Sequence, residues 1–206
     1  MTLHSADSLH SADSSHGADS LHARAVAALR AWDPGPGEQD SLRHAFLSYL
    51  AARRDGCRRS CVPGHLTASM LLLDDAREHA LLTLHPRVGL WLQLGGHCED
   101  GDLSLADAAS REGTEESGID GITVDPRPLH LAVHPITCSL GVPTRHLDVR
   151  FIGVAPPRAV PRRSAESVDL AWWPVGTLLA GDRPEVAPDL TALTTAALAR
   201  TSSRTG

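Results

Sequence analysis

The sequence predicts an α/β fold preceded by a short helical extension, and three observations support this prediction. Apolar runs bounded by turn residues are typical of β-strands, and such runs occupy residues 66–73, 79–85 and 91–94. Residues 105–117 form a candidate helix ending at Gly118, where a glycine can adopt the left-handed cap conformation. Two amphipathic helical patterns, at 23–32 and 39–54, precede the first strand.

Later segments continue the alternation of strands and helices. Further strands are predicted at 129–135, 146–155 and 170–175, and a last helix at 190–200. The helical patterns at 23–32 and 39–54 are expected to pack as a cap, either against the α/β domain that follows them or against a second subunit. The second possibility leaves a homodimer open.

Three glutamates share one face of the candidate helix at 105–117. Glu112, Glu115 and Glu116 fall at i, i+3 and i+4, which stacks their side chains. Like charges so placed repel by a few tenths of a kcal/mol per pair unless a cation lies between them. Carboxylate oxygens are hard ligands that suit Mg²⁺ or Mn²⁺. The spacing therefore predicts a divalent-metal site.

The residues around this face fit the same prediction. Arg111 is placed to pair bidentately with one of the carboxylates and to fix its rotamer. Gly95 and Gly96 allow a sharp bend, a close approach to a ligand and a carbonyl ligand for a metal. The bend leads to the helix N-terminus, where free N–H groups favour phosphate oxygens. The segment thus predicts a site for a metal-bound diphosphate.

These residues resemble the Nudix hydrolase signature, G-x5-E-x7-R-E-U-x-E-E-x-G-U with U a bulky aliphatic residue. The matching positions in its second half are Arg111, Glu112, Glu115, Glu116, Gly118 and Ile119. Gly113 stands where the family has an aliphatic residue, which is expected to cost about 1 kcal/mol of helix propensity and to leave a core position unfilled. Asp102 replaces the glutamate after Gly96, and eight residues rather than seven separate it from Arg111.

The resemblance covers residues 66–200 and implies a fold and an activity. The implied fold is an α/β/α sandwich with a mixed sheet and the motif helix against one face. The implied reaction is hydrolysis of a diphosphate linkage by metal-activated water, usually in a nucleoside diphosphate joined to another group. The implied cofactor is Mg²⁺ or Mn²⁺.

The resemblance also implies residue roles. The implied metal ligands are Glu112, Glu115, Glu116 and the Gly95 carbonyl. Arg111 would orient the acidic cluster. The base that deprotonates water would be either Glu112 or Glu166, a choice that geometry rather than sequence decides.

Substrate contacts are expected from the glycine loop and from a later strand. Residues 146–151 alternate, which puts His146, Asp148 and Arg150 on one face. Such a face binds substrate beside a cleft and is merely solvated on an exposed sheet, and the sequence leaves both open. The predicted substrate-binding residues are Gly96, His97, Asp102, His146 and Arg150. A set of histidines, at 85, 97, 134 and 146, could contact phosphate or sugar, and a purine would have to stack on Trp91, Trp172, Trp173, a His or an Arg.

Two other functions on the same fold stay open. One is a non-catalytic sensor or regulator that binds a nucleotide metabolite, although such proteins usually lose motif glutamates. The other is an isomerase of isoprenoid diphosphates, which needs a reactive cysteine opposite an acid. Cys98 and Cys138 are the available thiols, in contexts that do not resemble that family closely.

The remaining predictions concern organisation and partners. Residues 1–21 repeat a Ser-, Asp- and His-rich unit and are expected to be disordered, followed by a helical extension at 22–62, the catalytic domain at 63–200 and a disordered end at 201–206. A net charge of −6 and the lack of a long basic run argue against a nucleic-acid partner. No run reaches the roughly 20 apolar residues of a membrane span, and no secretory signal pattern is found, so a cytoplasmic protein is expected. Cys57 and Cys61 give a weak zinc signal, and reduced thiols are the better interpretation.

Overall fold

The structure is a computed structural model that describes residues 20–137, 141, 143–164 and 167–202, without the side chain of Ser202. The helices are α1 (Leu21–Ala31), α2 (Glu38–Ala52), α3 (Leu105–Ser117), α4 (Val175–Ala180) and α5 (Leu190–Ser202). The strands are β1 (His65–Leu73), β2 (His79–Leu84), β3 (Trp91–Leu92), β4 (Leu94–His97), β5 (Thr123–Val124), β6 (His130–Thr137), β7 (Pro143–Val154) and β8 (Asp169–Pro174).

The strands form one mixed sheet of eight strands, as predicted. The main path runs β3-β2-β1-β7-β5, while β4 pairs with β1, β6 with β7 and β8 with β2. β1 and β7 are parallel over the whole length of β1, from His65↔His146 to Leu73↔Val154, and the other pairs are antiparallel. Every residue of β1 is buried, because strands flank it on both sides and helices cover both of its faces.

The alternation of β1 divides the core into two layers. Leu66 and Met70 lie in an apolar cluster with residues of α1, α2 and α3. Leu71 and Leu73 lie in a second cluster with residues of α4 and α5. Because successive side chains of a strand point to opposite faces, helices occupy both faces of the sheet. This arrangement confirms the predicted mixed sheet with helices on both faces.

The helix that carries the glutamates has the predicted bounds, and its local sequence explains both ends. Ser104 Oγ accepts a hydrogen bond of 3.1 Å from the N–H of Asp107 and caps the N-terminus. Gly118 has φ 62°, and its N–H donates to the Thr114 carbonyl at 2.8 Å. This left-handed cap is the role predicted for Gly118.

The prediction that Gly113 leaves a core position unfilled is wrong. A Cβ atom added at Gly113 would lie 2.5 Å from Met70 Cε, and one added at Gly153 would lie 2.5 Å from Met70 Sδ. The fully buried Met70 side chain therefore fills the space between the two glycines. Methionine is unbranched and flexible, which suits such an irregular gap.

The N-terminal helices pack against the catalytic domain, which was one of the two predicted arrangements. Leu29, Phe46 and Leu50 are buried in the same cluster as residues of β1 and α3. Gln39 at the start of α2 pairs with the main chain of Leu131, donating to its carbonyl at 3.1 Å and accepting from its N–H at 2.6 Å. The amide thereby satisfies backbone groups of β6 and docks α2 on the sheet.

Several boundaries differ from the predicted ones. β5 and α4 were not predicted, and Val175, assigned to a strand, is the first residue of α4. Helix α1 begins at Leu21, capped by Ser20, two residues before the predicted start of the helix. The repeat at 1–19 lies outside the described residues. None of the helices in the described part of the chain combines the length and apolarity that a bilayer span requires.

Candidate active site

The double-glycine bend in β4 brings the strand close to α3. Gly95 has φ 152°, and a Cβ there would lie 2.5 Å from Ser69 Cα, so no other residue fits without strain. A Cβ at Gly96 would lie 2.6 Å from the carboxylate atoms of Glu112. The missing side chains therefore let Glu112 approach the strand backbone directly.

Two of the three motif glutamates converge on this bend. The Gly95 N–H donates a hydrogen bond of 3.1 Å to Glu116 Oε2, and Glu116 is 8% exposed. The Glu112 side chain is 13% exposed and lies against Gly96. The Glu115 side chain is 60% exposed. The predicted acidic face therefore exists with two sheltered carboxylates and one at the surface.

Arg111 connects four parts of the site. Its Nη1 lies 3.1 Å from Glu112 Oε1 and 3.2 Å from Glu115 Oε2. Its Nη2 donates to the His97 carbonyl at 2.9 Å. Its Nε and Nη2 bind Asp102 bidentately at 3.0 and 3.1 Å. The prediction that the bidentate partner is a motif glutamate is wrong, because the loop before the helix folds Asp102 onto the guanidinium.

Asp102 links Arg111 to the backbone of the loop before α3. Its side chain is 5% exposed, and its Oδ2 also accepts a hydrogen bond of 2.7 Å from the N–H of Glu99. The hydrogen bonds between Asp102 and Arg111 are the largest cause of the raised pKa of Arg111. The loop geometry accommodates the shorter acid and the additional residue that separate this sequence from the signature. The substrate-binding role of Asp102 stays a prediction, since the observed contacts of its carboxylate are with Arg111 and the Glu99 N–H.

Thr67, Ser69, Asp148 and Arg150, which we call the polar strand face, form a buried network rather than a solvated surface. Asp148 accepts hydrogen bonds from the Thr67 hydroxyl at 3.0 Å and the Ser69 hydroxyl at 2.8 Å. Arg150 donates to Asp148 at 2.9 Å and to Asp189 at 2.6 Å. The two sequence alternatives for this face were a cleft and an exposed sheet, and burial of Arg150 to 1% exposure removes the second.

Charge pairing dominates the titration of this network. Burial alone would raise the pKa of Asp148. The charge and hydrogen bond of Arg150, together with the smaller effects of Ser69 and His134, outweigh burial, so the pKa is lowered. Burial would likewise lower the pKa of Arg150, but Asp148 and Asp189 raise it. Both groups are therefore charged at neutral pH. Arg150 Nη1, which carries two N–H groups, is buried without a hydrogen-bond partner among the described residues.

Beside the polar strand face, the histidine triad (His65, His97 and His146) collects three imidazoles. The ring centres lie 5.1 Å apart for His65–His97 and 4.9 Å apart for the other two pairs. Burial first, then neighbouring cations and rings, lowers the pKa of His97 to about 3 and of His146 to about 4. Two of these residues were predicted substrate contacts, whereas the sequence analysis assigned no role to His65. No signal within its own segment indicated a role, because the pairing of β1 with β7 places His65 opposite His146.

The other predicted histidines lie elsewhere. His134 Nε2 lies 2.9 Å from Arg150 Nη2 at the far side of the polar strand face. His85 Nδ1 accepts from the N–H groups of Arg87 and Val88 in a turn. The structure therefore divides the predicted histidine set between a triad, an ion-pair network and a turn.

The family is decided by a match to the whole catalytic region. The model of the NUDIX domain matches residues 63–193, more than half of the chain. This chain belongs to the NUDIX domain family. A comparison with curated proteins finds no match.

Solved structures share the NUDIX fold with this chain at low identity. A NUDIX-family hydrolase from Clostridium perfringens is 22% identical, with 66% of this chain and 97% of that chain covered and a TM-score of 0.55. The NUDIX domain of Shewanella oneidensis NrtR, solved with ADP ribose, is 22% identical, with 75% and 97% covered and a TM-score of 0.52. An Ap4A hydrolase from C. elegans, solved as a binary complex, is 17% identical, with 67% and 98% covered and a TM-score of 0.51. NrtR has also been solved with a 27mer DNA.

A cavity of about 720 Å³ borders the loop between β4 and α3. It lies between the start of α1, the segment after α2 and the loop that follows β4. Its lining residues are Ser20, Leu21, His22, Arg54, Cys57, Arg58, Cys98, Glu99, Asp100, Asp102 and Leu103. Ligand pockets commonly measure about 300–1,000 Å³, and the volume of this cavity falls within that range.

The described cysteines are all buried. Burial, with a smaller contribution from Cys61, raises the pKa of Cys57 to about 12. Burial also raises the pKa of Cys98. Cys57, Cys61 and Cys98 are free thiols, which fits the expectation of reduced cysteines. Among the described residues, neither Cys57 nor Cys61 belongs to a group of three side chains that could hold a metal ion.

Glu166, the second candidate base, and Cys138 lie outside the described residues, so their roles stay predictions. The predicted stacking residues Trp91 and Trp173 contact each other edge to face, with ring centres 5.4 Å apart, and both pack against the apolar cluster under α4 and α5. Trp172 packs against the other cluster.

Proposed function

We propose that this protein is a metal-dependent hydrolase that cleaves a diphosphate linkage in a nucleoside diphosphate joined to another group. The observation that carries the proposal is the convergence of Glu112 and Glu116 on the Gly95–Gly96 bend. Two carboxylates and a backbone carbonyl beside a helix form an oxygen-rich donor set. Such a set suits Mg²⁺ or Mn²⁺ bound together with substrate phosphate.

The residues present fit such an ion. Glu112 and Glu116 supply sheltered carboxylates, Glu115 a surface one, and Gly95 a carbonyl in a bend that no side chain obstructs. When bound, the metal neutralises the diphosphate, lowers the pKa of a bound water and stabilises charge on the leaving oxygen.

The chain itself positions these groups. Arg111 holds Glu112 and Glu115 from one nitrogen while Asp102 and the His97 carbonyl hold Arg111, so the acidic face is oriented before substrate arrives. Preorganised charge of this kind costs no rearrangement during reaction. We assign Glu112 as the base that accepts the proton of water, with Glu166 as the alternative. The hydrogen bond from Arg111 to Glu112 keeps the Glu112 carboxylate oriented near Gly96.

The substrate class is inferred from the cavity and from relatives. The cavity of about 720 Å³ carries Arg54 and Arg58, which suit phosphate oxygens. Two similar structures are named for ADP ribose and Ap4A, which are both adenosine phosphate derivatives. A net charge of −6 favours a small-molecule partner over nucleic acid, although NrtR is solved with DNA. A cytoplasmic location and a homodimer stay predictions.

The experiment is a panel of ADP-ribose, diadenosine tetraphosphate and nucleoside diphosphate sugars, assayed with Mg²⁺, with Mn²⁺ and with chelator. We expect metal-dependent release of a nucleoside monophosphate or phosphate from at least one compound. Glu116→Gln should lower turnover by about 100-fold or more, as expected for loss of a metal ligand. Glu78→Gln, at the exposed turn after β1, is the matched control and should keep full activity. Chelator-resistant turnover, or full activity in Glu116→Gln, would contradict the proposal.

A nucleotide-metabolite sensor is the second candidate, favoured by the similarity to NrtR with ADP ribose. Binding of ADP-ribose by folded, metal-loaded protein without turnover of any compound would support it. The alternative of an isoprenoid-diphosphate isomerase needs a reactive cysteine. Cys98 does not meet this need, because its burial and its raised pKa keep the thiol unreactive.

A further inference from the structure

Three neighbouring strands deliver one histidine each to the same end of one sheet face. His65 opens β1 and lies directly opposite His146 of β7. His97 ends β4 and lies opposite Thr67, two residues along β1 from His65. Residues two apart on a strand share a face, and opposite residues on paired strands lie about 5 Å apart. The sheet register, not chain proximity, therefore builds the histidine triad.

The spacing of the rings matches tetrahedral metal coordination. The ring centres are separated by 4.9–5.1 Å, and one ligand nitrogen from each ring can be chosen so that all three lie within 4.8 Å of one another. Zn–N bonds of about 2.0–2.1 Å in a tetrahedral arrangement place imidazole centres about 5 Å apart. Zn–N bonds of that length put the ligand nitrogens about 3.3 Å apart, so the rings would rotate to bring their nitrogens onto one ion.

Unpartnered nitrogens point to a missing ligand. His65 Nδ1 lies 3.3 Å from the Cys61 carbonyl, so Nδ1 carries the proton and the Nε2 lone pair is free. His65 is 1% exposed, and the Nε2 atoms of His65 and His146 are buried without a hydrogen-bond partner among the described residues. Leaving buried polar atoms unpaired is costly, so a ligand at this position would stabilise the fold.

We propose that His65, His97 and His146 bind one zinc-like divalent transition metal ion, at a site separate from the carboxylates of α3. Imidazole nitrogen favours Zn²⁺, Co²⁺, Ni²⁺ or Cu²⁺ over the Mg²⁺ that suits carboxylates. Three protein ligands leave one position of a tetrahedral ion for water or for an anionic oxygen of a small molecule. His97 and His146 are partly exposed as residues, although the Nε2 atom of His146 is buried.

The proposed metal site is connected to the NUDIX motif through the backbone of His97. The carbonyl of His97 accepts a hydrogen bond from Arg111 Nη2, and Gly95 and Gly96 precede His97 in β4. An ion on the triad would fix the end of the strand that presents the glycine bend. Arg59 is a cation whose field reaches all three rings, but it is exposed, so water screens its repulsion of a bound metal.

The test is a Co²⁺ titration of the full chain after chelator treatment. His4, His10 and His16 of the repeat are replaced by Asn so that they do not contribute ligands. We expect one Co²⁺ per chain, with visible bands of tetrahedral cobalt and no thiolate charge-transfer band. Zn²⁺ should displace the cobalt and excess Mg²⁺ should not. His97→Asn and His146→Asn should each weaken binding by more than about 100-fold, whereas His44→Asn, on an exposed face of α2, should not.

X-ray absorption of the zinc-loaded protein gives a second measurement, which does not require the variants of the histidine triad. It should show imidazole nitrogens at about 2.0 Å and no sulfur ligand. The proposal is overturned by absence of Co²⁺ and Zn²⁺ uptake, by a sulfur ligand, or by full binding in folded His97→Asn and His146→Asn. Because the carboxylates of α3 are a different donor set, any of these results would leave the proposed hydrolase activity to be judged by its own assay.

Discussion

The N–H of Gly95 donates a hydrogen bond of 3.1 Å to Glu116 Oε2, joining the glycine bend of β4 to the far end of the acidic face of α3. A buried carboxylate held by a backbone N–H has a fixed position. The contact therefore determines where the two sheltered carboxylates stand relative to the Gly95 carbonyl, and several predictions depend on it.

Gly96→Ala should lower turnover with little loss of stability. The new Cβ would lie 2.6 Å from the Glu112 carboxylate and would push it away from the bend. A displacement of about 1 Å at a catalytic group can cost roughly 100-fold in rate. The matched control is Gly101→Ala, because a Cβ there meets nothing within 4 Å and should leave the rate unchanged. Equal rates for the two variants, measured by steady-state kinetics, would show that Glu112 does not need its observed position.

Arg111→Lys should reduce turnover although the charge is retained. Lysine cannot reproduce the bidentate pair with Asp102 while also holding Glu112 and the His97 carbonyl. We expect a fall in kcat of roughly 10-fold or more, since the acidic face loses its orientation. Arg127→Lys, at an exposed pair with Asp125, is the control and should behave as the wild type. A wild-type kcat for Arg111→Lys would refute the positioning role.

Gly113→Ala should destabilise the protein even though alanine is the better helix former. The added methyl would meet the fully buried Met70, and overpacking of a core typically costs about 1–3 kcal/mol against about 1 kcal/mol gained in propensity. The companion change Met70→Val should restore stability in the double variant. Gly176→Ala in α4, with nothing within 4 Å, is the control and should be neutral or stabilising. Urea unfolding that places Gly113→Ala level with Gly176→Ala would contradict the packing account.

Asp148→Asn should cost about 3–5 kcal/mol of unfolding free energy, because it removes one partner of a buried ion pair and leaves Arg150 undercompensated. Asp55→Asn removes the partner of Arg53 in a surface pair and should change stability far less. Chemical unfolding of both variants provides the comparison. Similar losses would mean that the polar strand face is not the buried network described above.

Cys57 should resist thiol reagents in the native state. Burial raises its pKa to about 12, so the reactive thiolate is scarce at pH 8. Mass spectrometry after brief alkylation should find Cys57 unmodified in folded protein and modified in urea. Rapid native labelling of this peptide would show that the segment after α2 opens readily.

Local signals in the sequence predicted a large part of this structure. The helix α3 and its end followed from the glutamate spacing and from Gly118, both of which lie within one segment. The partner of Arg111 was mispredicted because a loop conformation decides whether Asp102 reaches it. The role of Met70 opposite Gly113 was missed because it depends on how a helix packs on a strand more than 40 residues away in sequence.

The histidine triad shows the same limit more sharply. His65 and His146 are opposite each other only because β1 and β7 are parallel neighbours in one register. No periodicity within either segment carries that information, since a shift of one residue would turn every side chain to the other face. The burial of Asp148 and Arg150 likewise depends on Asp189, which precedes α5 and was not predicted as part of the site.

The most direct test of the central claim is anomalous diffraction from crystals soaked in Mn²⁺ with a non-hydrolysable diphosphate. The account predicts an anomalous peak at about 2.2 Å from carboxylate oxygens of Glu112 and Glu116, with the Gly95 carbonyl as a further ligand. Manganese found only elsewhere, or no peak beside the glycine bend in crystals that contain the diphosphate, would contradict it.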